Sequence, residues 1–155
     1  MAWYKCKVIF AEKTNEDGER REDVKEQYAV EAVSVTDAAT IIAGHLEGFN
    51  FSLEEVTKMQ IKEAFLQATV NGFRPDGYPI FIAKVALTTT VENTEIEKKQ
   101  NFRYMIEERT FEGTYLRLKD EMKGSVSDIE IISISLSPIV EAIEAEKKEG
   151  VRDGV

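Results

Sequence analysis

Trp3-Tyr4-Lys5-Cys6-Lys7-Val8-Ile9-Phe10 is the stretch whose reading decides the fold. Tyr4, Cys6, Val8 and Phe10 alternate with Lys5, Lys7 and Ile9, the period of two expected of a half-buried strand. The pattern recurs at an offset of 77 (Lys7 to Lys84), with Phe81, Ala83, Val85 and Leu87 in the apolar places. A second strand, Tyr28-Ala29-Val30-Glu31, recurs at an offset of 76 as Tyr104-Met105-Ile106-Glu107. Helix-period segments follow, Ala39, Ile42, Ala43 and Leu46 matching Tyr115, Leu118, Lys119 and Met122.

The helix ends are punctuated alike. Thr36 or Ser34 in the first copy and Thr110 in the second can accept hydrogen bonds from unpaired amides of the first turn. Gly48 and Gly124 stand just past the last periodic residues, where a left-handed backbone costs glycine nothing. A third apolar run closes each copy. In the second, Ile132, Ile134 and Leu136 are expected on one strand face and Ser133 and Ser135 on the other. In the first, residues 53–61 read either as strand or as a helix opened by Ser52 and Glu55 in a capping box. Analogy with the second copy selects strand.

The fold class that follows is α+β, with two tandem β-β-α-β repeats, six strands and two main helices. Ser137-Pro138 before Ile139, Val140 and Ile143 adds a short C-terminal helix with proline at its first position. The chain reads as a single domain, with repeat one over residues 3–70, a turn-like join over 71–79 and repeat two over 80–145. Residues 146–155 read as a frayed, charged tail. The competing explanation is chance alignment of two amphipathic segments, since identities between the copies are few.

The chain has 155 residues, 43% of them hydrophobic, enough for one ordinary core. No apolar run is long enough to span a bilayer, and the N-terminus enters a strand without a leader, so a soluble, cytoplasmic protein is expected, with no membrane partner. The single cysteine, Cys6, lies on the apolar face of the first strand and predicts a buried, reduced thiol. A net charge of −9 argues against a broad basic face that coats duplex DNA, but charge is distributed along the chain and single-strand binding stays open. Acidity concentrates in the first hairpin (Glu12, Glu16, Asp17, Glu19, Glu22, Asp23), the second (Glu92, Glu95, Glu97) and the tail (Glu141, Glu144, Glu146, Glu149, Asp153).

What remains basic is the strand strip of Lys5, Lys7 and Lys84, and Trp3 shares a face with Lys5 and Lys7. Aromatic and basic residues interleaved on a sheet face can stack bases while neutralising phosphates, so Trp3, Lys5, Lys7 and Lys84 are the candidate binding residues. The plainer alternative packs Trp3 against a neighbour and lays the lysine stems over the sheet. Tyr28 and Tyr104 read as equivalent core positions sooner than as a ligand clamp. Glu107 and Glu108 read as a solvated strand end, and Glu54 with Glu55 would need a bulge to converge. His45 sits where a cation suits the end of a helix. No catalytic residues, metal ligands or cofactor are assigned: the sequence has no glycine-rich phosphate loop, no Cys-x-x-Cys and no His-x-x-Glu.

The opening Trp3-Tyr4-Lys5-Cys6-Lys7-Val8, the Tyr28-Ala29-Val30-Glu31-Ala32 strand, Met122-Lys123-Gly124, Asp128-Ile129-Glu130-Ile131 and Ser137-Pro138-Ile139 together resemble a family of small proteins of unknown function from gut anaerobes and their tailed phages. The resemblance implies a phage or mobile-element origin and a cytoplasmic setting. It assigns no catalytic residues. Phe81-Ile82-Ala83-Lys84, where a Trp-Tyr-type opening would stand, and the longer charged tail depart from the family pattern.

The expected function is a non-enzymatic binding module, an accessory protein engaging single-stranded nucleic acid or a protein partner through a sheet face. The alternative is a small-molecule or nucleotide-binding protein with its ligand at an inter-repeat or inter-subunit junction, and an exposed sheet edge also suits a homo-oligomer.

Overall fold

The computed structural model describes residues 1–11, 24–68, 77–124 and 128–145. Along the chain the elements are β1 (Ala2–Phe10), β2 (Val24–Ala32), α1 (Val35–His45), β3 (Phe51–Lys58), β4 (Glu63–Phe65), β5 (Ile80–Thr90), β6 (Glu97–Glu107), α2 (Phe111–Glu121), β7 (Asp128–Leu136) and β8 (Ile139–Ile143). The strands form two four-stranded sheets, ordered β3-β1-β2-β8 and β4-β6-β5-β7. The chain divides into two compact units, Met1–Lys58 with Ala142–Val155, and Met59–Glu141.

In the first unit β1 is the central strand, antiparallel to β2 (Cys6 opposite Tyr28) and to β3 (Cys6 opposite Val56). Its alternation sends Tyr4, Cys6 and Val8 into a core with Tyr28, Val30, Ala32, Ala38, Ile42 and Leu46. Each fully buried Val8, Val30 or Ile42 side chain contributes about 1.5–3 kcal/mol by leaving water. Of the two candidate caps for α1, the structure selects Ser34, whose Oγ accepts from Asp37 N at 3.0 Å. Only Ala38 and Ile42 of α1 are buried, a narrow stripe one turn apart, and Leu46 extends it past the end of the helix. Phe10 closes the end of this core against Phe49 and Phe51, with ring centroids 6.2 Å and 6.4 Å away.

In the second unit β5 is central, between β6 (Ala83 opposite Tyr104) and β7 (Ala83 opposite Ile134). Ala83, Val85, Tyr104, Ile106, Leu118 and Phe65 form its core, with Phe65 stacked on Tyr104 at 5.6 Å and 8°. Thr110 caps α2 by accepting from Gly113 N at 2.9 Å, and buried Thr114 satisfies its hydroxyl on Thr110 O at 2.9 Å. Gly48 (φ 93°) and Gly124 (φ 85°) hold the left-handed conformation expected after each helix.

Among the described residues there are eight strands, and this corrects the expectation of six. β4, with three residues, is too short for a periodic signal, and it pairs parallel to β6 through Phe65 and Ile106. The expected C-terminal helix is strand β8. Ile139, Val140 and Ile143 are β-branched and the segment is only five residues long, so pairing beside β2 outcompetes a helix with too few turns to stabilise itself. Ser137 Oγ accepts from Ile139 N at 3.1 Å across the Ser137-Pro138 connection. Residues 53–58 lie in strand β3, as chosen, and residues 59–61 lie beyond its end.

The expected face of Ile132, Ile134 and Leu136 is also corrected. Register steps between Lys84 and Val85, whose partners are Ser133 and Ile131, so Ile132 is the extra residue of a β-bulge. Ile129, Ile131 and Ile134 pack on the core, while Ile132 and Leu136 are 45% and 66% exposed. β3 carries the corresponding step at Lys7 and Val8, whose partners Glu55 and Leu53 leave Glu54 as the extra residue. The first hairpin's acidic tip (residues 12–23), residues 71–76 of the join and the tail from 146 lie outside the described residues.

Candidate functional site

The candidate binding residues separate between the two units. Trp3, Lys5 and Lys7 lie on β1, opposite Glu31, Ala29 and Gln27 of β2. Trp3 is 7% exposed, so its ring is not offered to solvent as a stacking face. Lys5 and Lys7 are half-buried, and Lys7 Nζ lies 3.2 Å from Glu55 Oε2. The hydroxyl of Thr57 and the Lys7 ammonium hold the Glu55 carboxyl below its ordinary range. Lys84 stands on β5 of the second unit, half-buried, between Arg103 of β6 and Ser133 of β7.

The second unit also holds a cleft of about 530 Å³ between α2 and β7. Leu118 and Met122 of the α2 segment and Ile129 and Ile131 of β7 supply its apolar lining. Tyr115, Lys119, Lys123 and Glu130 supply the polar groups, with the Lys119 ammonium 5.7 Å from the Tyr115 ring centroid. Lys119 and Lys123 are one helical spacing apart, while Glu130 is held by Lys99 at 3.6 Å. That pair belongs to the ladder positions of Ala86 and Thr88, on the other face of the sheet, so the charge facing the cleft is that of Lys119 and Lys123. Phe111 (58%), Tyr115 (39%) and Leu116 (59%) of α2 and Ile132 of β7 are exposed.

The sequence held one trace of this cleft. Tyr115 and Lys119 hold the fifth and ninth positions of α2, where the equally long α1 has Ala39 and Ala43, so α2 presents long side chains with polar heads at positions that are small in α1. In the first unit Phe51 and Leu53 of β3 stand opposite Phe10 and Val8 of β1 and pack on its core, with Phe10 also in ring contact with Phe49.

Cys6 is completely buried, and burial pushes its thiol up to about 11, so it is protonated and shielded at neutral pH. Glu107 is not a solvated strand end. It is 4% exposed, its Oε1 accepts from Gln67 N at 2.9 Å, and its backbone oxygen accepts from Gln67 Nε2 at 2.7 Å. Glu31 does the same in the first unit, accepting from Ala145 N at 3.1 Å. Glu108 pairs with Arg117 at 3.5 Å, and Arg117 Nη2 also donates to Leu66 O at 2.7 Å. Among the described residues no group of three His, Cys, Asp or Glu is placed to hold a metal ion, and no helix is long and apolar enough to cross a membrane.

This is a mixed α+β protein with two helices and eight strands in two sheets, among its described residues. The chain belongs to the family described as Domain of unknown function (DUF4494), which matches residues 2–145. No curated protein matches it.

Proposed function

We propose that the protein is a non-enzymatic binding module, an accessory protein of the phage or mobile-element kind implied by its family resemblance, which captures a protein partner at the α2–β7 cleft. The observation that carries this reading is the cleft itself, with its apolar lining, two lysines and exposed apolar residues on both bounding elements. Its volume suits one or two anchoring side chains, and exposed apolar residues of α2 and β7 beyond its lining extend the surface a partner would cover. Among the described residues β7 is an edge strand, paired in its sheet with β5 alone, which favours an extended partner segment laid beside it. Lys119 and Lys123 favour acidic residues flanking the partner's apolar anchors.

The same proposal takes the chain as two copies of one unit whose final strands have changed sheets. Read from opposite edges, the sheets run β3-β1-β2-β8 and β7-β5-β6-β4, the same succession of equivalents. Residues 51–58 and 129–136 share one alternation of half-buried and exposed positions, broken at the bulge residues Glu54 and Ile132. Glu31 and Glu107 each receive the backbone amide that follows the returning strand, Ala145 and Gln67. Duplication leaves one copy free to keep its end filled by phenylalanines while the other acquires a cleft.

Selection of a random peptide library on the full chain tests the reading. Enriched peptides should combine large apolar residues with Asp or Glu, and Lys119→Glu should weaken them roughly tenfold. Absence of enrichment, or peptides indifferent to Lys119 and Lys123, would refute it.

A further inference from the structure

On the opposite side of the second sheet from the cleft, the ladder sets two cations directly across from each other. Lys84 faces Arg103 on β6 and Ser133 on β7, so one row across three strands reads Arg103-Lys84-Ser133. Like charges opposite one another in an antiparallel pair cost stability unless something neutralises them. Among the described residues neither Lys84 nor Arg103 has an ion-pair partner. The adjoining rows do not supply one. Met105-Ile82-Ser135 is uncharged, and the carboxylate of Asn101-Ala86-Glu130 is already held by Lys99 at 3.6 Å.

The equivalent row of the first unit shows what neutralisation looks like. It reads Gln27-Lys7-Glu55, with Glu55 bound to Lys7 at 3.2 Å. In the second unit arginine stands for Gln27 and serine for Glu55, so a carboxylate is lost and a cation gained around the same lysine. Arg103 and Ser133 are exposed and Lys84 is half-buried, an arrangement in which partial desolvation strengthens a charge-assisted bond to an incoming anion.

We propose that Arg103, Lys84 and Ser133 form a binding row for the phosphate group of a phosphate ester. The guanidinium fork suits two phosphate oxygens, the ammonium adds a point charge, and the serine hydroxyl donates a third bond. The phosphate can belong to a free nucleotide or to the backbone of a single strand, and in a chain of net charge −9 either needs a locally cationic row such as this one. The site is independent of the partner cleft.

Fluorescence polarisation of a labelled short oligothymidylate against the full chain at low salt, with AMP and inorganic phosphate as competitors, tests the row. Binding is expected, with a log–log salt slope that falls by roughly 0.7 for each phosphate contact removed. Displacement by AMP identifies a site for an isolated phosphate ester; resistance to AMP with retained oligonucleotide binding identifies backbone phosphates on a strand. Lys84→Glu and Arg103→Glu should each weaken binding roughly tenfold. Ser133→Glu is the decisive variant, because it copies the Lys7–Glu55 pair of the first unit: it should fold with unchanged thermal stability or better, and lose binding to the same extent. No binding of either oligothymidylate or AMP would overturn the proposal. So would binding that survives Ser133→Glu in a protein shown by circular dichroism to be folded.

Discussion

Two side chains, Glu55 of β3 and Cys6 of β1, show how strongly the two faces of one sheet differ. Glu55 is held below the ordinary carboxylate range by Thr57 and Lys7, so its contribution to stability is present above that ordinary range and is lost as pH falls through its lowered folded value. Lys7→Ala should return the Glu55 titration towards the ordinary range, read by NMR of the carboxyl carbon. Cys6, on the other face, is expected to resist thiol reagents at pH 8 until the protein unfolds. Because its folded value is raised to about 11 from 9.0, the stability associated with the protonated thiol is full below 9.0 and is lost as pH rises towards about 11. In Cys6→Ala that alkaline loss should shrink, measured by denaturant unfolding across the same pH range. Both side chains were legible in the sequence to the extent that alternation assigns a face. Glu107 was not, because its partner Gln67 lies 40 residues away and a charged residue at a strand end ordinarily faces water.

The elements the sequence revealed are those with a local signal: alternation in β1 and β5, and a cap-to-glycine frame around each helix. Ser34→Ala and Thr110→Ala should each cost about 1 kcal/mol in thermal or denaturant unfolding, since each leaves a first-turn amide without its acceptor. β4 and β8 escaped because their stability comes from pairing with strands distant in sequence. The bulges escaped because an extra residue has no composition of its own. Glu54 and Ile132 are a carboxylate and an aliphatic chain at equivalent bulges, and only the ladder register identifies them. Removing the hydrogen bond that follows β4 tests that element: Glu107→Ala should cost about 1–3 kcal/mol. It should also speed hydrogen exchange at the Gln67 amide while leaving Ala145, held by Glu31, unchanged.

At the scale of the whole molecule, composition bounded the size of the core and the acidic charge, and the periodicity of the segments pointed to an α+β fold of two similar halves. It could not say which residues the fold brings together: Tyr115 and Lys119 beside the cleft, and Arg103, Lys84 and Ser133 in one row of the ladder. The central claim is that the α2–β7 cleft captures an acidic, apolar segment of a partner protein. Its most direct test is a charge swap: the affinity of a library-selected peptide for the folded full chain is compared with that for the Lys119→Glu, Lys123→Glu double variant, and then repeated with the peptide's acidic residues replaced by lysine. The double variant should lose the acidic peptide and gain the lysine-bearing one; equal affinity for both peptides in both proteins would rule out capture of an acidic segment at the cleft.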